Sequence, residues 1–273
     1  MVVVMFLFYS GYGVMCAIMS KGTSYVNAIP RKRLLTVWLN FMVAVCVFFA
    51  ARNMFQIEPE ASLKTFALSL VCWDSVGNSN WYIFVILLLY LLTYVSFKNN
   101  VSRGAQLGLL VALSATSIIA LAYLKPYWWY DTLMAYPFGA AFAYWRPKIE
   151  KAASHTYLLM LAVAVAVFVW TYEFGNQMPG LWHNLRAVAF AMALVLLSMK
   201  WQPKSKALAW MGRNLFPLYI YQRLPMMVLA APLCAERTAL YFIICLGCTF
   251  ALAYAYRFIE IRITTNGRAV VER

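Results

Sequence analysis

Apolar runs of about 17–25 residues recur from one end of this 273-residue sequence to the other. A run of that length matches a helix crossing a hydrocarbon layer about 30 Å thick. In lipid each backbone N–H and C=O must find its partner within the chain, so long apolar runs mean helices. A membrane barrel would instead show roughly ten-residue segments of alternating polarity. The composition agrees: 64% of residues are hydrophobic, 12% are charged, and the mean hydropathy is +0.70. The sequence therefore predicts an all-α polytopic transmembrane helix bundle, one domain over residues 1–273. Its nine spans lie near 2–19, 34–51, 81–97, 105–124, 128–145, 156–172, 183–199, 212–232 and 238–257.

The basic residues orient this bundle. Short loops on the cytoplasmic side of a membrane protein carry an excess of Lys and Arg. In a nine-span arrangement, 17 of the 23 basic residues fall on one side. They include Lys21 and Arg31-Lys32-Arg33 after the first span, Arg146, Lys148 and Lys151 after the fifth, and Lys200, Lys204, Lys206 and Arg213 after the seventh. The expectation is an integral protein of a bacterial inner membrane, with Met1 outside and Arg273 in the cytoplasm. The net charge of +14 is then a topology signal, and no nucleic-acid partner is expected. The chain opens Met1-Val2-Val3-Val4-Met5-Phe6 with no polar lead-in. This predicts a preceding helix, and ten spans in a complete protein.

Two outer segments differ from plain loops. Residues 62–73 are apolar but too short to span, so they should lie in the interface or re-enter it. Lys125-Pro-Tyr-Trp-Trp-Tyr-Asp131 gathers aromatics as an interfacial belt does. Cys245 and Cys248 form a C-x-x-C pair, but no His, Asp or Glu stands near them on their helix. A metal site needs further ligands, so they read as packing residues, and no bound cofactor or metal is expected.

Several local patterns line up in order. They are Phe8-Tyr-Ser-Gly-Tyr-Gly13, Arg31-Lys-Arg33, Asn78-Ser-Asn-Trp-Tyr-Ile83, Tyr136-Pro-Phe-Gly139, Met211-Gly-Arg-Asn-Leu-Phe-Pro-Leu-Tyr-Ile-Tyr-Gln222 and Tyr254-Ala-Tyr-Arg-Phe-Ile-Glu260. Together they resemble the acyltransferase-3 family of integral membrane acyltransferases, from that family's second helix onward. The resemblance implies an O-acyltransferase moving an acyl group, expected to be acetyl, from cytoplasmic acyl-CoA to a cell-surface glycan or lipid-linked sugar. The family's histidine on its first helix has no counterpart here. Thr36 stands three residues after Arg33, where the family pairs two arginines. The expectation is therefore slow turnover by this chain alone.

Acyl transfer needs a base for the acceptor hydroxyl, cations for the donor's phosphates, and donors for the developing oxyanion. Arg31, Lys32 and Arg33 are the expected donor-binding cations, although basic loops also serve simply to anchor topology. Of the two histidines, His155 in a loop on the basic side and His183 at the outer start of the seventh span, either could act as a base because His titrates near neutral pH, and His183 is the candidate. A residue at a helix end is the plainer role for it. Arg223 falls inside the eighth span and either faces a polar cavity, with Gln222 beside it, or snorkels outward. Trp81 and Tyr82 open the third span as interfacial anchors or as the wall of a sugar site. Ser10, Tyr12 and Asp74 complete the acceptor side. Glu260 is expected to pair with Arg257 or Arg262. Two other functions stay open: a transporter or flippase of a glycan or lipid-linked substrate, or an inactive truncated acyltransferase.

Overall fold

The computed structural model describes residues 2–57, 62–99, 101–174, 179–202, 204–233 and 238–271, with side chains described except at 2, 179, 231–233 and 259–271. Cys234, Arg237 and the ion pair expected at Glu260 lie outside the described positions. Among the described residues the chain is mostly helical and holds no strand. In order the helices are α1 (Val2–Lys21), α2 (Thr23–Ile29), α3 (Thr36–Met54), α4 (Leu63–Leu70), α5 (Asn80–Lys98), α6 (Arg103–Leu124), α7 (Ala135–Phe174), α8 (Pro179–Lys200), α9 (Lys206–Arg213), α10 (Leu215–Tyr221), α11 (Arg223–Leu233) and α12 (Thr238–Val271). Pro30–Leu35 joins α2 to α3 as a π-helical turn.

Seven helical stretches among the described residues are long and apolar enough to cross a membrane. The sequence counted nine because two spans take other forms. The helix α7 has 40 residues, about 60 Å if straight, which is twice a hydrocarbon thickness. It is not straight. Both of its ends come to the start of α8: Asn184 bonds the chain at Tyr130 and Met134, while Trp170 packs on Trp182. The chain therefore folds back, and Thr156 leaves helical geometry at the bend (φ −123°, ψ 27°). The two halves correspond to the spans expected near 128–145 and 156–172. The stretch expected at 212–232 is divided at Gln222 into α10 and α11. Pro225 explains this, since it has no N–H to return to the Tyr221 carbonyl one turn back.

The chain forms two compact units, residues 1–38 with 84–202, and residues 39–83 with 203–273. In the first unit α1 packs on the first half of α7, and the second half of α7 packs on α8. Small residues make the first of these contacts close. A Cβ on Gly139 would lie 2.1 Å from the carbonyl oxygen of Phe8, so the two backbones touch there. Lipid tails give helices little hydrophobic reason to associate, and such close backbone approach is one of the means by which they do. Phe8 fills the surrounding space against Phe138 and Phe142. At the start of α8, Asn184 accepts from Met134 N (2.8 Å) and donates to the carbonyls of Tyr130 and Gly180 (both 2.7 Å). One amide thereby ties the turn that precedes α7 to the start of α8.

In the second unit α10 and α11 pack on α12. The expected interfacial segment is α4, capped by Ser62, whose hydroxyl accepts from Thr65 N (3.1 Å). After it the chain turns through Cys72 and Gly77, both at positive φ (62° and 106°). Asn80 holds this turn against the start of α5 by donating to the carbonyls of Cys72 (3.1 Å) and Asp74 (2.7 Å).

Candidate active site

The expected site residues fall in both units, and each group is built differently. In the first unit the centre is Arg33. The π turn that carries it has a wider hydrogen-bonding ring than an α-helix, and such turns are frequent at functional sites. Thr36, at the second position of the family's arginine pair, closes that turn: its hydroxyl donates to the Arg31 carbonyl (3.2 Å). Arg31 and Lys32 are exposed on the same turn. Arg33 also keeps exposed surface, yet its guanidinium reaches inward. It donates from Nε to the Tyr25 hydroxyl (3.1 Å), and its charge acts on the phenol of Tyr90.

Tyr90 is only 5% exposed. Its phenol also meets Ser10, so α1, the π turn and α5 converge there. Behind it lies Tyr136, fully buried, its ring edge-on to Tyr90 at 6.1 Å. The Tyr136 hydroxyl is 3.0 Å from that of Thr93, and Thr93 gives its own proton to the Leu89 carbonyl (2.7 Å). Tyr136 must then be the donor to Thr93. The result is a polar seam of Arg33, Tyr25, Tyr90 and Ser10, backed by Tyr136 and Thr93. Of the sequence candidates, Ser10 and Arg33 are brought together here. Tyr25, Tyr90 and Tyr136 were not anticipated. Tyr90 and Thr93 sit three residues apart on one face of a span, which is where a polar interior would be expected.

Tyr12 goes elsewhere. Its hydroxyl accepts from Arg146 Nη1 (2.7 Å), and Arg146 Nε donates to Glu150 (2.7 Å). His183 packs against the ring of Tyr127 at 5.3 Å, with the charge of Arg186 nearby. Arg186 donates to the Thr171 carbonyl, packs over Tyr172, and acts on Asp131 at the entry to α7. Asp131 lies before the apolar helical stretch, which in the structure begins at Ala135 and not near 128, and burial pushes its carboxyl up to about 6, outweighing the hydrogen bond from Thr132 and the charge of Arg186.

In the second unit the expected acceptor residues gather loosely. Tyr82 packs edge-on against Tyr219 at 4.9 Å and against Trp81 at 6.3 Å. Tyr219 bonds Ser79, and the exposed Arg223 lies within electrostatic reach of it. Gln222 is exposed at the break between α10 and α11. Asp74 is exposed and turns its carboxylate back onto Ser75 N (2.8 Å). Among the described residues no group of three or more His, Cys, Asp or Glu could hold a metal ion.

No curated protein and no solved structure matches this chain. The model of the acyltransferase-3 family, an acyltransferase domain, matches residues 1–258. That match takes in every motif from Phe8 to Gln222 and the last one as far as Phe258, on apolar helices long enough to span a membrane, and the chain belongs to the acyltransferase-3 family of membrane acyltransferases.

Proposed function

We propose that the chain is an O-acyltransferase of the bacterial cell envelope, taking an acyl group, acetyl by preference, from cytoplasmic acyl-CoA to a cell-surface glycan or a lipid-linked sugar. The reading is supported by one arrangement above all: the Arg33 guanidinium giving a hydrogen bond to Tyr25 and acting on the phenol of Tyr90 at a solvent-accessible turn. A phenol that accepts from a guanidinium still has its own O–H to give. The cluster thus offers a positive charge and oriented O–H donors to one oxygen, which is what a thioester carbonyl needs as its oxygen becomes negative. Arg31 and Lys32, exposed beside it, would hold the phosphates of the donor by charge-assisted bonds.

In this scheme the acceptor hydroxyl oxygen bonds to the carbonyl carbon. The carbon–sulfur bond then breaks, and the hydroxyl proton passes through a base to the departing thiolate, giving the ester and free coenzyme A. His183 starts α8 at the opposite end of that helix from Lys200 and the basic face that carries Arg33, so the base in this step is another group. Trp81, Tyr82, Asp74, Gln222 and Arg223 are the proposed contacts for the sugar, a flat aromatic face suiting a pyranose ring. The basic asymmetry supports an orientation with Arg273 in the cytoplasm.

The test is acyl transfer by purified protein in lipid nanodiscs, with radiolabelled acetyl-CoA and an envelope glycan extract. Arg33→Ala should lower kcat by about 10²-fold, the usual effect of losing an oxyanion donor. Replacing Arg31 and Lys32 together by Ala should raise KM for acetyl-CoA and leave kcat nearly unchanged. Full activity in Arg33→Ala would remove the cluster from the chemistry. Transport of an unmodified glycan would instead favour a carrier.

A further inference from the structure

Where α1, the bend of α7 and the end of α8 meet, the first unit holds an open groove of about 480 Å³. Its floor is apolar and aromatic, with Phe8, Phe142 and Val195. Its rim is polar, with Arg146 and Lys200 on opposite helices. Arg146 lies seven residues beyond Gly139, about 10 Å along α7. The groove therefore runs from the charged end of the helices toward the middle of α1, where Phe8 packs. It is wet and basic at one end, and hydrocarbon at the other.

The basic end is fixed in place. Arg146 is held between the Tyr12 hydroxyl and the Glu150 carboxylate. A guanidinium has five N–H donors, and these two bonds use two of them. Lys200 lies over the ring of Tyr157 at 5.3 Å, which positions its ammonium without neutralising it. With Glu150 offsetting one cation, the rim carries about one net positive charge.

We infer that this groove holds one anionic glycerophospholipid, its phosphate between Arg146 and Lys200 and an acyl chain along Phe142 and Phe8. The charge balance selects that occupant. Coenzyme A carries several phosphate charges and a polar nucleoside, which one net positive charge and an aromatic floor do not match. A zwitterionic lipid brings its own cation to a rim that already has two. The inference stands apart from the proposed chemistry at Arg33, because its readout is binding.

The experiment is native mass spectrometry of delipidated protein in detergent, titrated with dioleoyl phosphatidylglycerol or dioleoyl phosphatidylcholine. One molecule of the phosphatidylglycerol should bind at least about ten times more tightly than the phosphatidylcholine. Lys200→Gln, at an exposed position that does not endanger folding, should remove most of that preference, and adding Arg146→Gln should remove the rest. Inorganic phosphate at millimolar concentration should not displace the lipid, since it lacks the chain that fills the floor. Equal affinity for the two lipids, or an unchanged preference in Lys200→Gln, would overturn the inference. Displacement of the lipid one-for-one by coenzyme A would reassign the groove to the donor nucleotide.

Discussion

Gly11 lies directly against the carbonyl of Tyr136: a Cβ built on Gly11 would stand 2.1 Å from that oxygen. Three residues further along α7, Gly139 meets Phe8 in the same way. Two sequence patterns 128 residues apart, Phe8-Tyr-Ser-Gly11 and Tyr136-Pro-Phe-Gly139, are thus the two halves of one helix crossing. The crossing also sets the Tyr136 ring behind Tyr90. Gly11→Ala or Gly139→Ala must push backbone apart from backbone. Each should cost about 1–3 kcal/mol, the range for overpacked sites. Thermal unfolding in detergent should show a lower Tm for both, with Gly13→Ala, which meets open space, as the unaffected control.

The hydroxyls of Tyr90 and Tyr136 do different work. Tyr90 faces the charge of Arg33, whereas Tyr136 is spent on Thr93. Tyr90→Phe should lower kcat by about tenfold or more with a near-normal Tm, as expected for loss of a donor at the reacting oxygen. Tyr136→Phe should lower Tm by leaving Thr93 without that donor, an effect of about 1 kcal/mol, with a smaller change in kcat. Parallel kinetics and melting curves on the two variants check the division. Equal effects on kcat would remove it.

Asp131 gives a pH dependence with a definite sign. Its carboxyl is raised by burial to about 6 in the folded protein, above the usual value of about 3.9. The folded state therefore holds this proton more tightly than the unfolded chain does. The resulting stability is complete below about pH 4 and is lost as pH rises through about 6. Asp131→Asn should flatten the Tm profile between pH 4 and 7 and give a higher Tm than the parent at pH 8. A parent profile that rises steadily over that interval, unchanged by the substitution, would contradict the assignment.

Cys72 is buried in the turn after α4, where desolvation pushes its thiol up to about 12. Thiolates, not thiols, react with alkylating reagents. Iodoacetamide at pH 8 should leave Cys72 unmodified in folded protein and label it after denaturation, as read by peptide mass spectrometry. Labelling of native protein would show that the turn opens.

The sequence made the helices legible because lipid imposes one simple rule on backbone groups, and hydropathy reports it directly. The bend in α7 was also legible. Arg146, Lys148 and Lys151 interrupt the apolar run there, so two spans were expected where helical geometry alone reads nearly continuous. Pro225 lies inside the eighth span, and the division of that span into α10 and α11 was not anticipated. The polar seam was only half visible. Arg33 and Ser10 stood out as a loop charge and a motif residue. Tyr25 and Tyr90 did not, because a tyrosine in an apolar run reads as packing until a donor is found within reach of its oxygen. His183 and Arg223 were chosen for their chemistry, and the neighbours they acquire, Tyr127 and Tyr219, are aromatic rings that spacing does not identify.

The wide turn at Pro30–Leu35 sets a phase. A π turn accommodates one residue more than an α-helical turn would, and one residue corresponds to about 100° of rotation about a helix axis. Thr36 takes up the slack by bonding the Arg31 carbonyl. The angular heading of Arg33 toward Tyr25 and Tyr90 is thus counted out by the number of residues between α2 and α3, as a gear tooth is set by its index. Removing a single residue from that turn would leave every side chain of the seam in the sequence and aim the guanidinium at a different neighbour.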